Sequence, residues 1–134
     1  MFKKFTSLSH WNLDLMLLLL RVVFGMSMMT HGYSKIQRYE ALQDSFANYL
    51  GIGSEPTLIL VIFAEFVCAG LVVIGALSRL AAIPMFVTMF VAFFVAHAND
   101  PFQKKELALV FMTLSVVIFF LGSGKYSIDR LLKK

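Results

Sequence analysis

The sequence predicts an all-α integral membrane protein built as an antiparallel four-helix bundle. Hydrophobic residues make up 59% of the 134 residues and charged residues only 15%, whereas a soluble domain is about half apolar and about a quarter charged. The mean hydropathy is +0.79. The apolar residues fall in four long stretches, and a helix needs about 20 mostly apolar residues to cross a bilayer. The length therefore suits one transmembrane domain covering residues 1–134.

The four predicted spans cover residues 15–36, 57–77, 80–98 and 106–121. The connection 37–56 is the longest polar segment, and its apolar spacing predicts a short amphipathic helix over the mouth of the bundle. Ser78 and Arg79 are expected to form a tight turn between the second and third spans. Gly122 breaks the last apolar run and is expected to end the fourth helix.

The first span carries charged side chains inside its apolar run. At about 100° per residue, one face of this helix collects five residues: Arg21, Gly25, Met28, Gly32 and Lys35. Ionisable groups within a span are costly and usually face a bundle interior or a cavity. Arg21 is expected to pair with Glu65 of the second span. This pair would either fix helix register or serve a functional site, and the sequence leaves both interpretations open.

Basic residues at the span ends predict the orientation. Seven lie on one side, namely Lys3, Lys4, Arg79, Lys125, Arg130, Lys133 and Lys134, and four on the other, namely Lys35, Arg38, Lys104 and Lys105. The positive-inside rule then places both termini in the cytoplasm. The sequence thus predicts a multi-pass protein of a bacterial-type cytoplasmic (inner) membrane.

In this topology each span brings ionisable side chains to the outer half of the bundle: His31 and Lys35, Glu65, His97, and Glu106. Their convergence predicts a polar pocket open to the outside. His31 is a candidate proton donor or acceptor because histidine titrates near neutral pH; the alternative is an interfacial histidine bonded to a neighbour. His31, Glu65, His97 and Glu106 would also make a metal set, but no short ligand spacing supports one, so no metal is assigned.

Several classes of function lack their motifs. Cys68 is the only cysteine, so the chain has neither an internal disulfide nor a CxxC pair. The sequence has no Gly-rich phosphate loop, no nucleophile elbow, and no flavin, haem or iron–sulfur signature. The net charge of +4 comes from span ends, where topology and lipid phosphates account for it. No nucleic-acid partner is therefore expected.

A series of short motifs follows the chain in a characteristic order: LLLLRVVFG, then THGYSK at 30–35, Ala64-Glu65, GALSR at 75–79, His97, ELAL at 106–109 and GSGKYSID at 122–129. In these motifs the chain resembles the DoxX family of small four-span membrane proteins, over roughly Leu17 to Leu132. The turn 99–105 departs from the family, in which this turn is often Gly-rich.

The resemblance implies a place in a membrane oxidoreductase system, since relatives include a subunit of thiosulfate:quinone oxidoreductase. We therefore expect a quinone-linked or thiol/sulfur-linked component, with a quinone as cofactor. The candidate catalytic residues are His31, Glu65 and Glu106, and the candidate cofactor-binding residues are Arg21, His31, Lys35, Glu65 and His97. A soluble redox partner would have to supply electrons, because the chain has no redox centre of its own. Whether the chain is itself an enzyme stays open.

Two other functions remain as alternatives. The first is a non-catalytic anchor or adaptor that holds soluble redox enzymes at the lipid bilayer. In that case the buried charges would be structural. The second is a small-molecule carrier, which would require a homo-oligomer, because one four-span chain lacks the internal repeat common in transporters.

Overall fold

In the computed structural model the chain is all-helical over the residues that the structure describes, 1–7 and 12–133. Lys134, one of the basic residues counted for the orientation, lies outside this described part. The helices are α1 (Phe2–Phe5), α2 (Leu13–Gln37), α3 (Tyr39–Leu42), α4 (Ser54–Ile74), α5 (Ser78–Ala96), α6 (Phe102–Leu121) and α7 (Ile128–Leu132). The amphipathic helix expected after the first span is thus the single turn α3.

Three of these helices, α2, α4 and α5, are long and apolar enough to cross a membrane. The helix α6 has 20 residues, but Lys104, Lys105 and Glu106 occupy its first turns. Large hydrophobic side chains are exposed along all four long helices. Such a surface suits contact with lipid, which is itself apolar. The chain is therefore a membrane protein whose apolar helices contact the bilayer.

The turn between α4 and α5 lies at Gly75–Leu77, not at Ser78 and Arg79 as expected from the sequence. Gly75 and Leu77 both take left-handed backbone angles, with φ of 74° and 51°. The carboxylate of Asp129 accepts hydrogen bonds from the backbone N–H groups of Leu77 (2.7 Å) and Ser78 (3.2 Å). Asp129, which is distant in sequence, thus fixes the start of α5. Because the side chain of Leu77 is apolar, the hydropathy pattern did not indicate a turn at this position.

Both α4 and α5 contain a π-helical turn, in which the backbone bonds run from residue i to i+5. The first covers Phe63–Cys68 within α4, and the second covers Ala92–Ala96 at the end of α5. Glu65 lies inside the first π turn, and His97 directly follows the second. The sequence pattern gave no sign of either.

Two glycines let α2 approach α4 at backbone distance. A Cβ atom at Gly25 would lie 2.8 Å from the carbonyl oxygen of Ala69. A Cβ atom at Gly32 would lie 2.9 Å from the carbonyl carbon of Glu65 and the backbone nitrogen of Phe66. Small residues at helix contacts are typical of membrane bundles, because they let backbones pack closely. The buried core beside them contains residues of all four long helices, including Phe24, Met28, Val72, Met85 and Ile118.

We expect Gly32→Ala to lower the melting temperature of the detergent-solubilised protein by several degrees. The added Cβ meets backbone atoms of the first π turn, and overpacking of this kind costs about 1–3 kcal/mol. Gly70→Ala is the matched control, because its Cβ would meet only the Met29 side chain, at 3.7 Å. That variant should melt at or above the wild-type temperature. Equal decreases in melting temperature in the two variants would show that the Gly32 contact does not determine how closely α2 packs on α4.

Candidate functional site

A cavity of about 650 Å³ opens between α2, α4, α5 and α6. It lies where α2 and α5 end and α4 and α6 begin. The polar residues in its wall are His31, Lys35, Tyr49, Thr57, Glu65, Thr88, His97 and Lys104. Most of the remaining wall is apolar, and the connection between α3 and α4 contributes Phe46 and Leu50. A mostly apolar cavity of this size with a few polar groups is typical of small-molecule sites.

An ion pair between Lys35 and Glu65 forms part of the polar wall. The Nζ atom of Lys35 lies 2.7 Å from Oε2 of Glu65, and the side chains are 20% and 6% exposed. A buried charge needs a partner to offset the loss of hydration. The contact at Gly32 brings the first π turn close enough to α2 for this pair to form. The cavity therefore holds a fixed ammonium group and a fixed carboxylate.

The same cavity reaches the lipid-facing surface of the bundle. On α4 and α5, four of its apolar lining residues are about half exposed: Leu60, Phe63, Ile83 and Val87. These residues belong to α4 and α5, so the cavity opens between two helices that are apolar enough to lie in a bilayer. A lipid-soluble molecule would reach the Lys35–Glu65 pair from the membrane along this side.

His97 stands at the cavity wall with a carboxylate beside it. Its Nδ1 atom lies 2.7 Å from Oδ2 of Asp100, and the two side chains are 43% and 39% exposed. The hydrogen bond with His97 is the main reason that the pKa of Asp100 lies below its ordinary value. Partial desolvation opposes this shift, and the charges of Lys104 and Lys105 reinforce it. Sequence analysis missed Asp100, although its position three residues after His97 was the available signal.

His31 packs edge-on against Phe111, with ring centroids 5.9 Å apart. It lines the main cavity and also a smaller one of about 500 Å³ between α2 and α6. Within residues 1–7 and 12–133, its imidazole has no protein hydrogen-bond partner. The side chain is exposed, and both ring nitrogens remain available to a ligand or to water.

Glu106 is exposed and does not line the cavity, contrary to the expected convergence. On α6 the cavity side holds Lys104, Leu107, Ala108 and Phe111, at helical spacing. At about 100° per residue, Glu106 lies roughly opposite Lys104. The sequence analysis selected Glu106 as a site residue because it is charged. The helical spacing on α6 would instead have indicated Lys104 as a residue that lines the cavity.

The four residues considered as a metal set do not assemble. In the part of the chain that the structure describes, no three His, Cys, Asp or Glu side chains gather closely enough to hold an ion. Glu65 is paired with Lys35, and Glu106 faces away from the cavity. The chemistry that the cavity offers is hydrogen bonding and proton transfer beside an apolar wall.

Residues 16–98 match the sequence profile of the DoxX family. The chain belongs to the DoxX family. The matched segment runs from α2 through α5 and contains His31, Lys35, Glu65 and His97. No curated protein and no solved structure matches the chain significantly.

The expected ion pair between Arg21 and Glu65 is not formed in this DoxX protein. Arg21 is fully buried and donates from Nη1 to the carbonyl oxygens of Val72 (3.4 Å) and Val73 (3.3 Å). Its Nη2 donates to the carbonyl oxygen of Tyr126, while its Nε has no partner among the described residues. Arg21 thus joins α2 to the end of α4 and to the C-terminal segment, away from the cavity.

The helix register explains why Arg21 cannot reach Glu65. Gly32 packs on the backbone of Glu65, and Arg21 lies eleven residues earlier on α2, about 16 Å away along the axis. At that level it meets Gly75, where any Cβ would collide with its Nη1 atom. It also meets residues 122–129, which we call the C-terminal clasp.

Asp129 holds the C-terminal clasp to the α4–α5 turn. Its Oδ2 accepts a hydrogen bond from Ser123 Oγ at 2.6 Å, besides those from the backbone of Leu77 and Ser78. Burial acts to raise the pKa of Asp129, but these hydrogen bonds and the charge of Arg21 together hold it below its ordinary value. The carboxylate is therefore stabilised in its ionised form by folding.

We expect Asp129→Asn to lower the melting temperature at pH 7, by an amount equivalent to about 1–3 kcal/mol. A folded pKa below the unfolded one gives stability that is present above about pH 4 and is lost as pH falls through the folded pKa. The difference between wild type and variant should therefore shrink below about pH 4. Asp44→Asn, at an exposed carboxylate, is the control. If the difference in melting temperature between wild type and Asp129→Asn stayed constant at all pH values, this would contradict an ionised Asp129 in the clasp.

Proposed function

We propose that this DoxX protein is the membrane component of a quinone-linked oxidoreductase, and that its cavity binds the quinone head group. One observation carries the proposal: a mostly apolar cavity of about 650 Å³ reaches the lipid side and ends at the Lys35–Glu65 pair. His31 and His97 add two imidazoles to the same wall. A polar end and an apolar wall reachable from lipid are the features that a lipid-soluble quinone requires.

The donor set of the cavity fits this ligand. The carbonyl oxygens of a quinone accept hydrogen bonds, and Lys35 and the two histidines are the groups placed to donate them. A bound quinone takes up two electrons and two protons and leaves as a quinol. Glu65 holds Lys35 in place and is itself placed to take up or release a proton. Of the residues selected from the sequence, His31, Lys35, Glu65 and His97 belong to the proposed site; Arg21 and Glu106 do not.

Electrons would come from a thiol or sulfur donor carried by a soluble partner protein. The only cysteine of this chain, Cys68, is buried, so the chain supplies no dithiol. Two thiols that form a disulfide release two electrons and two protons, which balances the reduction of one quinone to a quinol. The alternative, an adaptor without a ligand, keeps the same partner but leaves the cavity without a role.

We further propose that all four long helices cross the inner membrane in antiparallel order, with both termini in the cytoplasm. Contacts at the two ends support the antiparallel order, and the excess of basic residues at one end supports the orientation. The start of α2 meets the clasp after α6, where the backbone N–H of Lys125 donates to Asp14 Oδ1 at 2.9 Å. At the other end, α2 shares the cavity with Thr57 of α4 and Lys104 of α6. Both sets of contacts support an arrangement in which neighbouring helices run in opposite directions.

We expect the gently purified protein to retain a quinone, detected by native mass spectrometry and lipid extraction. Lys35→Met and Glu65→Gln should each reduce the retained quinone by about tenfold or more, because either change breaks the buried pair at the polar end of the cavity. Glu106→Gln is the matched control for Glu65→Gln, since its side chain faces away from the cavity, and it should keep the wild-type amount.

Two results would reject the quinone site. In the first, the protein carries only phospholipid and does not take up added decylubiquinone. In the second, the Lys35 and Glu65 variants fold and retain as much quinone as Glu106→Gln. A soluble enzyme that copurifies with such a quinone-free protein would instead favour the adaptor function.

The orientation is tested with single cysteines in a Cys68→Ala background. In intact cells, a membrane-impermeant maleimide should label Asn48→Cys, in the connection before α4, because that segment is placed outside. Lys133→Cys should react only after the cells are opened. Labelling of Lys133→Cys in intact cells, with Asn48→Cys protected, would reverse the proposed orientation.

A further inference from the structure

His97 and Asp100 form a pair that the quinone proposal does not require. Their 2.7 Å contact uses Nδ1 of the imidazole, so Nε2 is the ring nitrogen left for another partner. His97 lines the cavity, yet both side chains are about two-fifths exposed. The pair lies just beyond the last residue of α5, at an end of the apolar segment. One imidazole thus borders the cavity and the water outside it.

We propose that His97 and Asp100 are the acid–base pair of the cavity: His97 carries protons between water and the bound quinone, and Asp100 positions and stabilises its ring. This inference rests on the proposed quinone site and adds to it the route of the protons. A carboxylate at Nδ1 fixes the tautomer of a neutral histidine, with Nε2 free to accept. It also stabilises the imidazolium, whose Nε2–H donates.

The charges around His97 show why Asp100 is needed. Lys104 lines the cavity beside His97, and Lys105 follows it on α6, with its Nζ 4.9 Å from the centre of the Phe93 ring. Lys35, Glu65 and Tyr49 face the same cavity from the other elements. Apart from Glu65, which Lys35 neutralises, these groups are cationic or neutral. Asp100 therefore supplies the carboxylate at the imidazole of His97, where Lys104 and Lys105 contribute positive charge.

The proton balance is simple. Protonated His97 donates from Nε2 to a carbonyl oxygen of the quinone, and it gives up that proton as the oxygen gains negative charge from the electrons of the thiol or sulfur donor. The neutral imidazole then takes a proton from water, and the second carbonyl oxygen, on the opposite side of the quinone, would receive a proton from water by way of the Lys35–Glu65 pair. Asp100 stays ionised throughout. His31 is less suited to this role, because its ring packs on Phe111 and has no carboxylate partner among the described residues.

The test is the pH dependence of decylubiquinone binding to the full-length protein in detergent, measured by isothermal titration calorimetry from pH 5.5 to 8.5. Buffers with different ionisation enthalpies report the protons taken up on binding. We expect wild type to take up a proton and to bind about tenfold more weakly at the high end of this range, because His97 donates only when protonated. His97→Gln keeps an N–H donor but does not titrate, and it should abolish the proton uptake.

Asp100→Asn tests the pair with His97 left in place. It should move the midpoint of the pH dependence to lower pH, because the amide does not stabilise an imidazolium. Asp100→Glu should restore the wild-type midpoint, and the exposed control Asp44→Asn should not change it. A merely structural turn contact would change overall stability but not this midpoint.

Two results overturn the inference while leaving the quinone site standing. In the first, His97→Gln binds decylubiquinone with the proton uptake of wild type. In the second, Asp100→Asn keeps the wild-type midpoint with unchanged affinity. Failure of the wild-type protein to bind decylubiquinone at all would overturn the quinone site and this inference together.

Discussion

The ion pair between Lys35 and Glu65, 2.7 Å apart, is the interaction on which the cavity depends. A charged side chain near the centre of a membrane helix costs about 2.5–3.5 kcal/mol on insertion scales. Glu65 lies near the middle of α4, and Lys35, close to the end of α2, offsets its charge. Paired, they place an ammonium and a carboxylate in an otherwise apolar wall. The pair forms only because Gly32 lets α2 touch the backbone of the first π turn. One glycine contact therefore links helix packing to the chemistry of the site.

The same face of α2 buries a second cation in a different way. Arg21 has no carboxylate within ion-pair distance among the described residues, and its planar group binds three carbonyl oxygens on two segments. A guanidinium suits this role because its donors spread over a fixed fork, whereas an ammonium acts as a point charge. Arg21 thus closes one end of the bundle through many backbone contacts. Lys35 keeps a single partner at the other end, where a ligand can compete for it.

Local patterns predicted much of this fold, because helices and their buried faces depend on nearby residues. The face of α2 that begins at Arg21 is buried through Gly32, as its periodicity indicated. The partners of the buried charges were not predictable in the same way. Whether Glu65 meets Arg21 or Lys35 depends on the register between α2 and α4, which the glycine contacts set. Asp129 likewise caps α5, although it lies 51 residues further along the sequence. A periodic pattern relates only residues that are close in sequence, so it could not indicate this contact.

The two π turns both contribute residues to the wall of the cavity. A π turn is wider than a regular α-helical turn, and such turns often occur at functional sites. Here one holds Glu65 and the other ends where His97 begins, so both border the same cavity. The space is therefore built into the backbones of α4 and α5 as well as into their side chains. A regular α-helix through either segment would turn Glu65 or His97 to a different side of the bundle. The backbone irregularities that hydropathy cannot show are thus the features that bring the polar side chains together.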